Sequence, residues 1–120
     1  MSKDIVYGRR IWNLLHSTAA YFPETPTEEE KLSARQFINY FMEDGIEYPQ
    51  WGTDFLNESK KELDVSSREN FAIWVCHRHN AVNQRLNKPQ FSCDYSDLKK
   101  RWGPPWLMVV VYLWFLASYF

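Results

Sequence analysis

The sequence has few cysteines, only two among its 120 residues. They stand at positions 76 and 93, so neither belongs to a C-x2-C pair of the kind that binds structural zinc. The interpretation that we prefer is a disulfide, which is typical of an oxidising compartment and would stabilise the fold by roughly 3 kcal/mol in the chain-entropy view. Two unrelated buried thiols, or a metal site formed by Cys76, His79 and Cys93, are the alternatives.

The sequence also lacks an excess of charge of either sign. Its 14 basic and 15 acidic residues give a net charge of -1 and are mixed along the chain. This balance gives no reason to expect nucleic acid as a partner. The N-terminus shows neither a secretory signal nor an Arg-rich transit pattern, so entry into an oxidising compartment would need internal signals or an N-terminal extension.

No alternating strand pattern occurs before residue 105, and the body of the chain shows helical spacing instead. We predict helices over residues 8–21, from 28 to near 45, 50–63, 68–86 and 94–101. Two capping boxes, Thr27 with Glu30 and Ser66 with Glu69, mark the starts of the second and fourth helices. One domain of this length therefore predicts an all-α bundle of four helices plus a short fifth helix.

Apolar residues on one face of each helix form the predicted core. In the order of the chain, they are Ile11, Trp12, Leu15, Ala19, Leu32, Phe37, Ile38, Phe41, Phe71, Trp74, Val75, Val82 and Leu86.

Residues 104–120 differ in composition from everything before them. Pro104 and Pro105 break the chain, and residues 106–120 contain no charged side chain. We predict that 1–103 forms the folded domain and 104–120 a hydrophobic C-terminal tail. A helix there would measure about 22 Å, less than the ~30 Å hydrocarbon core of a bilayer. Packing on the bundle or on a second subunit, membrane contact through residues 106–120, and a truncated or variant terminus all stay open.

The stretch from Cys76 to Asn83 is a poor way to build an apolar core. His79, Asn80 and Asn83 fall on one side of a helix, because neighbours three and four residues apart share a face. Amides and imidazoles at this spacing suit a flat polar ligand.

Several separated motifs, in order, resemble the ERV/ALR family of flavin-linked sulfhydryl oxidases across roughly residues 7 to 103. Gly8-Arg9-Arg10-Ile11-Trp12 with His16 is similar to the opening helix of that family, and Ala19-Ala20-Tyr21-Phe22-Pro23 to its end. The run from Cys76 to Asn83 is similar to the C-x-x-H-N-x-V-N signature. Leu86-Asn87-Lys88-Pro89, Phe91-x-Cys93 and Arg101-Trp102 follow as in the family.

The resemblance implies a helical bundle that binds FAD non-covalently, usually as a homodimer, with Cys76 and Cys93 as a structural disulfide and no metal. It also implies oxidation of protein dithiols to disulfides, with electrons passed to O2 or cytochrome c. The expected compartment is the mitochondrial intermembrane space, or alternatively the secretory pathway or a membrane-associated site. The cofactor-binding residues expected are Gly8, Arg9, Trp12, His16, Tyr21, Tyr48, Cys76, His79, Asn80, Asn83, Lys88, Arg101 and Trp102.

The chemistry of these side chains agrees with a nucleotide cofactor. Trp12 and His16 lie four residues apart and can flank one ligand, and Trp102 can stack on adenine. Arg9, Lys88 and Arg101 can neutralise a pyrophosphate.

The sequence departs from the family at the redox centre. The family carries a C-x-x-C pair directly after Tyr-Pro, whereas Tyr48-Pro49 is followed here by Gln50 and, three residues on, Thr53. Neither residue can form or attack a disulfide, and thiol oxidation needs a thiolate. The sequence therefore predicts no catalytic cysteine. It leaves two functions open: a thiol oxidase supplied by another route, and a catalytically impaired pseudo-oxidase acting as a flavin-binding or dimerising module.

Overall fold

The computed structural model describes the backbone of residues 3–43, 63–103 and 106–119, and the side chains of 9–40, 63–103 and 112–118. These ranges contain helices α1 (Lys3–Ala20), α2 (Glu28–Glu43), α3 (Arg68–Arg85), α4 (Tyr95–Trp102) and α5 (Trp106–Tyr119). No strand occurs among them, which confirms the all-α class. The predicted helix at 50–63 lies outside the described residues except for Leu63, which precedes α3 without helical structure.

The first capping box is confirmed and the second is wrong by one residue. Thr27 N donates to Glu30 Oε1 at 2.9 Å, and Glu30 N donates to Thr27 Oγ1 at 3.1 Å. At α3 the N-cap is Ser67, whose hydroxyl accepts from Asn70 N at 3.1 Å. Ser66 lies in the turn before the helix, because the Asp64 carboxylate accepts both its N–H, at 2.9 Å, and its O–H, at 2.6 Å.

The end of α3 turns the chain back towards its own helix. Leu86 leaves the helical conformation, and Asn87 follows with a φ of 54°, a left-handed conformation that asparagine tolerates better than most residues. Lys88 N then donates to Asn83 O at 2.8 Å. This C-terminal turn directs residues 91–93 back towards α3, where the functional site lies.

The core forms where α1 packs along α3 and α4 contacts both helices. The predicted apolar face of α1 is confirmed, since Ile11, Trp12, Leu15 and Ala19 are all buried. Phe22 meets Phe71 of α3 edge to face, with ring centroids 5.1 Å apart.

Two predicted core residues are exposed. Leu32 is 53% exposed, because the buried face of α2 carries Ala34 and Ile38, and Leu32 lies roughly 200° around the helix from Ala34. Leu86 is 46% exposed, because α3 ends at Arg85 and Leu86 already belongs to the turn. Among the other predicted positions of α3, Phe71, Trp74, Val75 and Val82 are buried as expected.

Helix α5 differs from the other helices in its surface. Every residue from 112 to 118 is exposed. Within the described ranges, no helix combines the length and the apolar composition needed to cross a membrane.

Candidate functional site

The two cysteines form a disulfide that joins α3 to the segment before α4. Cys76 and Cys93 are bonded, with their Cα atoms 5.7 Å apart. The preferred interpretation of the cysteine pair is therefore confirmed, and the alternative of two separate thiols is excluded. Since both sulfurs are used in this bond, neither is a thiolate ligand for a metal.

Asn80 holds the same segment by hydrogen bonds. Its Nδ2 donates to the Phe91 carbonyl at 2.8 Å, and its Oδ1 accepts from Phe91 N at 2.8 Å. Nδ2 also lies 3.2 Å from Cys93 Sγ. The Asn80 amide thus acts as a clamp beside the disulfide, and it fixes Phe91 against α3.

Four aromatic side chains from three helices form the centre of the site. The Trp12 indole of α1 stacks on the His79 imidazole of α3, with centroids 4.3 Å apart and planes 7° apart. The His16 imidazole of α1 stacks on the Trp102 indole of α4 at the same 4.3 Å, with planes 1° apart. A hydrogen bond of 2.9 Å between His16 Nε2 and His79 Nδ1 links the two stacks. We call this set the aromatic quartet.

Phe91 and Arg101 extend the aromatic quartet on one side. The Phe91 ring lies 4.9 Å from the His79 ring, centroid to centroid. The Arg101 guanidinium lies 4.0 Å from the Phe91 centroid and 5.1 Å from that of Trp102. A fixed positive charge therefore borders the aromatic surface.

Both imidazoles of the aromatic quartet are neutral at physiological pH. Burial, with help from His79 and the Arg101 charge, lowers the pKa of His16 from 6.5 to about 3. Burial and the charges of Arg101 and Lys88 lower the pKa of His79 to about 4. Each neutral ring has one donor and one acceptor nitrogen, so one ring donates to the other in the bond that links the stacks.

The structure brings some of the predicted cofactor-binding residues together and leaves others apart. Trp12, His16, His79, Trp102 and Arg101 meet as described. Lys88 acts on His79 through its charge, and Cys76 and Asn80 lie beneath the Phe91 segment.

The remaining predicted residues that the structure describes take part in none of the ring and side-chain hydrogen-bond contacts described above. Gly8 and Arg9 precede Trp12 by four and three residues, on its side of α1. Tyr21 follows the end of α1 and is 61% exposed, and Tyr48 lies outside the described residues. Asn83 is buried, and no described residue forms a hydrogen bond with its side-chain amide.

A cavity of about 220 Å³ adjoins the aromatic quartet on the side of His16 and Trp102. It lies between the C-terminal part of α1, the start of α3, and α4, and it is lined by His16, Ala20, Glu24, Arg68, Ala72, Tyr95, Leu98, Lys99, Trp102 and Gly103.

Sequence reasoning missed two features around the site. Arg68 ties α3 to the end of α1, since its Nε donates to the Phe22 carbonyl and its Nη1 lies 3.2 Å from Glu24 Oε1. Phe91 stands in the sequence as part of a motif, and in the structure it contacts both His79 and Arg101. No local signal identifies Arg68, because its partners are distant in the sequence. The aromatic Phe91 two residues before Cys93 was a usable signal.

Fold and site together define a small all-helical domain with an aromatic site beside a structural disulfide. A family model described as the Erv1/Alr family matches residues 9–103. The chain belongs to this family, and the match covers the aromatic quartet, the disulfide and the Asn80 clamp.

Similar proteins include fungal, plant and viral sulfhydryl oxidases. The chain is 40% identical over 102 residues to the mitochondrial FAD-linked sulfhydryl oxidase ERV1 of Saccharomyces cerevisiae, which covers 82% of this chain and 51% of that protein. It is 33% identical over 93 residues to the FAD-linked sulfhydryl oxidase of African swine fever virus, which covers 77% of this chain and 78% of the viral protein. The chain spans about half the length of the curated cellular relatives that it matches first.

Solved structures of yeast Erv1 share the fold. The yeast Erv1 core superposes with a TM-score of 0.77 at 36% identity, over 85% of each chain. The FAD-binding domain of Erv1 from Saccharomyces cerevisiae gives a TM-score of 0.74 at 38% identity, over 85% of this chain and 95% of that one.

Proposed function

We propose that this chain binds FAD non-covalently at the aromatic quartet and serves as the FAD-binding domain of a sulfhydryl oxidase. The observation that carries the proposal is the pair of indole–imidazole stacks, each with centroids 4.3 Å apart, joined by one hydrogen bond. Relatives and a solved neighbour that share this part of the chain carry FAD in their names.

The chemistry of the site suits the two ends of FAD. Isoalloxazine and adenine are flat ring systems, and flat rings stack on indole and imidazole faces. The buried Asn83 amide offers a donor and an acceptor that no described residue uses. Arg101 borders the aromatic surface and Lys88 acts on His79, so both supply the positive charge that a pyrophosphate requires. Gly8, Arg9, Tyr21 and Tyr48 complete the proposed set of cofactor contacts.

Within this proposal each part of the chain has a task. The neutral imidazoles present a stacking face without placing a buried positive charge next to the ring system. Asn80 and the disulfide hold Phe91 against His79 and so keep that face in position. When bound, FAD would accept two electrons from a thiol pair and pass them to an acceptor. The proposed overall reaction is oxidation of protein dithiols to disulfides, with O2 or cytochrome c as the acceptor.

The number of cysteines is the reason to test a second candidate function. The chain has two cysteines in all, and both lie in the Cys76–Cys93 bond. Gln50 and Thr53 occupy the positions where the family pattern has its catalytic pair. A chain without a second dithiol cannot accept electrons from a protein substrate through its own sulfurs. A catalytically impaired pseudo-oxidase, acting as a flavin-binding or dimerising module, is therefore the alternative.

Membership of the Erv1/Alr family also leads us to propose a cellular compartment and an oligomeric state for this protein. Two fungal relatives are named mitochondrial, which supports a mitochondrial location. The intermembrane space is the narrower location that we propose. The disulfide agrees with an oxidising compartment, for which the secretory pathway or a membrane-associated site is the alternative. We also propose a homodimer, a protein dithiol as substrate, and a division into a domain over 1–103 and a tail over 104–120.

The absorption spectrum of the purified protein tests FAD binding directly. We expect a flavin spectrum, or its recovery when FAD is added to colourless protein. His79→Ala should weaken FAD binding about ten-fold or more, because it removes one stacking face. His77→Ala is the matched control, since His77 is exposed on the same helix. A folded protein that cannot be loaded with FAD, or equal affinity in both variants, would contradict the proposal.

Reaction with a small dithiol separates the two candidates. Flavin-loaded protein is mixed with dithiothreitol, and flavin bleaching and oxygen uptake are followed together. Rapid bleaching with continued oxygen uptake would support the oxidase. A flavin that stays oxidised while the fold and the cofactor are retained would support the pseudo-oxidase.

A further inference from the structure

Helix α5 is apolar on all sides along its described surface. Its sequence, from Trp106 to Tyr119, contains no acidic or basic residue. The seven consecutive residues 112–118 are all exposed, and seven residues at 3.6 per turn cover the whole circumference of a helix. Among them Tyr112, Leu113, Trp114 and Leu116 expose 62%, 58%, 70% and 37% of their surface. A contiguous apolar surface of this kind marks an interaction site.

One side-chain hydroxyl of α5 forms its hydrogen bond within the helix itself. Ser118 Oγ donates to the Trp114 carbonyl at 3.0 Å. The backbone N–H and C=O groups of a helix pair within the same segment, which is what allows helices to enter hydrocarbon. The Ser118 hydroxyl therefore requires no hydrogen-bond partner from outside α5, and the other polar side-chain groups of residues 112–118 are the Tyr112 hydroxyl and the Trp114 N–H.

Because residues 112–118 have no polar face, α5 suits lipid hydrocarbon better than a groove on another protein. A groove on a protein covers one stripe of a helix and leaves the opposite face to water, so a helix docked in this way is amphipathic. Residues 112–118 show no such division. Hydrocarbon, in contrast, surrounds a helix on every side.

The basic residues immediately before α5 favour a membrane that contains anionic lipid. The last turn of α4 carries Lys99, Lys100 and Arg101, and both lysines are exposed. Basic residues next to an apolar segment bind anionic lipid headgroups, worth about five-fold in partitioning per residue. The 14 residues of α5 span about 21 Å, enough to enter a leaflet deeply.

We propose that α5 inserts into the hydrocarbon of a membrane containing anionic lipid, with Lys99 and Lys100 at the headgroups. This activity goes beyond the proposed FAD-linked function and rests on no part of it. Its membrane-inserting part, α5, lies outside the family match, which ends at 103, whereas Lys99 and Lys100 lie within that match.

Vesicle flotation tests the proposal with the full chain. Purified protein is mixed with vesicles of phosphatidylcholine alone, or of phosphatidylcholine with phosphatidylserine, and the floated fraction is measured at low and high salt. We expect flotation with phosphatidylserine vesicles, weaker flotation without that lipid, and a decrease as salt rises.

Two leucines provide a matched pair of variants. Leu113→Asp should lower the partition coefficient at least about ten-fold, because a carboxylate in hydrocarbon is costly. Leu32→Asp is the control, since Leu32 is 53% exposed on α2 and Leu113 is 58% exposed on α5. Circular dichroism and flavin content are measured on both variants, so loss of fold or of cofactor is seen separately from loss of membrane binding.

The outcomes divide clearly. Flotation that Leu113→Asp abolishes and Leu32→Asp preserves supports insertion of α5. Equal flotation of the wild type and Leu113→Asp would reduce the interaction to surface charge and overturn the proposal. No flotation, with a dimer in sedimentation that Leu113→Asp dissociates, would assign α5 to a second copy and also overturn it. If the protein is a monomer and does not float with either kind of vesicle, the proposal is also overturned.

Discussion

Mild acid should destabilise this protein through the two histidines of the aromatic quartet. The pKa of His16 is about 3 and that of His79 about 4 in the folded chain, against 6.5 for both when exposed. Burial is the main cause in each case. As the pH falls below the exposed value, the unfolded chain binds protons that the folded chain excludes, so the free energy of unfolding falls. The loss ends only near the folded pKa values.

The size of the effect follows from the shift. Each group contributes about 1.4 kcal/mol for every pH unit in the window between its two pKa values. From pH 6.5 to pH 5 this amounts to about 2 kcal/mol per histidine and about 4 kcal/mol for the pair. That loss is a large share of the 5–15 kcal/mol typical of a folded domain. The carboxylates with lowered pKa, Glu28, Asp64 and Asp94, lose their stabilising effect only at lower pH, near and below their exposed values.

Urea unfolding at neutral pH and at pH 5, at fixed flavin content, measures this difference. The double variant His16→Gln/His79→Gln should flatten the dependence, whereas His77→Gln should keep it, since His77 is exposed on α3. NMR titration of the wild type gives an independent reading, because the ring signals of His16 and His79 should not move between neutral pH and pH 5. Equal stability at the two pH values, or titration of either ring near 6.5, would refute the reasoning.

Three other changes test the parts around the aromatic quartet. Cys76→Ser should lower the free energy of unfolding by about 3 kcal/mol, measured by thermal melting without reductant, and an unchanged melting temperature would contradict a stabilising disulfide. Asn80→Ala should cost about 1–3 kcal/mol in urea unfolding, because it leaves the Phe91 N–H and C=O without their partner, whereas the exposed Asn39→Ala should have little effect. Gln50→Cys with Thr53→Cys should create or raise dithiol oxidase activity in oxygen-uptake assays, with either single variant as control. No gain in a folded, flavin-loaded double variant would indicate that more than the sulfurs is missing.

Short-range patterns predicted most of the fold. The apolar face of α1 and the Thr27–Glu30 capping box depend on residues a few positions apart, and both are present as expected. The predictions are wrong at two helix ends, where a local contact that the pattern does not show sets the boundary of the helix. Ser66 hydrogen-bonds to the Asp64 carboxylate, and the N-cap of α3 is therefore Ser67. Leu86 lies outside α3 because the chain turns at Leu86 and Asn87.

The candidate site was predictable as a set of residues but not as an arrangement. Helical spacing placed Trp12 and His16 on one face, and the motif order pointed to His79 and Trp102. Spacing could not show that the imidazoles hydrogen-bond to each other across 63 positions, or which indole stacks on which imidazole. Spacing also could not show that the Asn80 side-chain amide hydrogen-bonds to the Phe91 backbone, because that contact requires the turn after α3.

The geometry around Cys76 and Cys93 argues against their replacing the missing catalytic pair. Cys76 is fully buried and Cys93 is half-buried, so an external thiolate has no access to Cys76 and restricted access to Cys93. Opening the bond would also remove one of the two restraints, the other being the Asn80 clamp, that hold Phe91 against His79. A catalytic cycle through this disulfide would therefore loosen the proposed flavin site each time that it reduced the bond. A disulfide that is reduced at every turnover must not be needed to hold the cofactor site together. Here the aromatic quartet lies directly against the segment that the disulfide holds. Any electrons that reach a flavin in this chain must consequently come from a donor outside it.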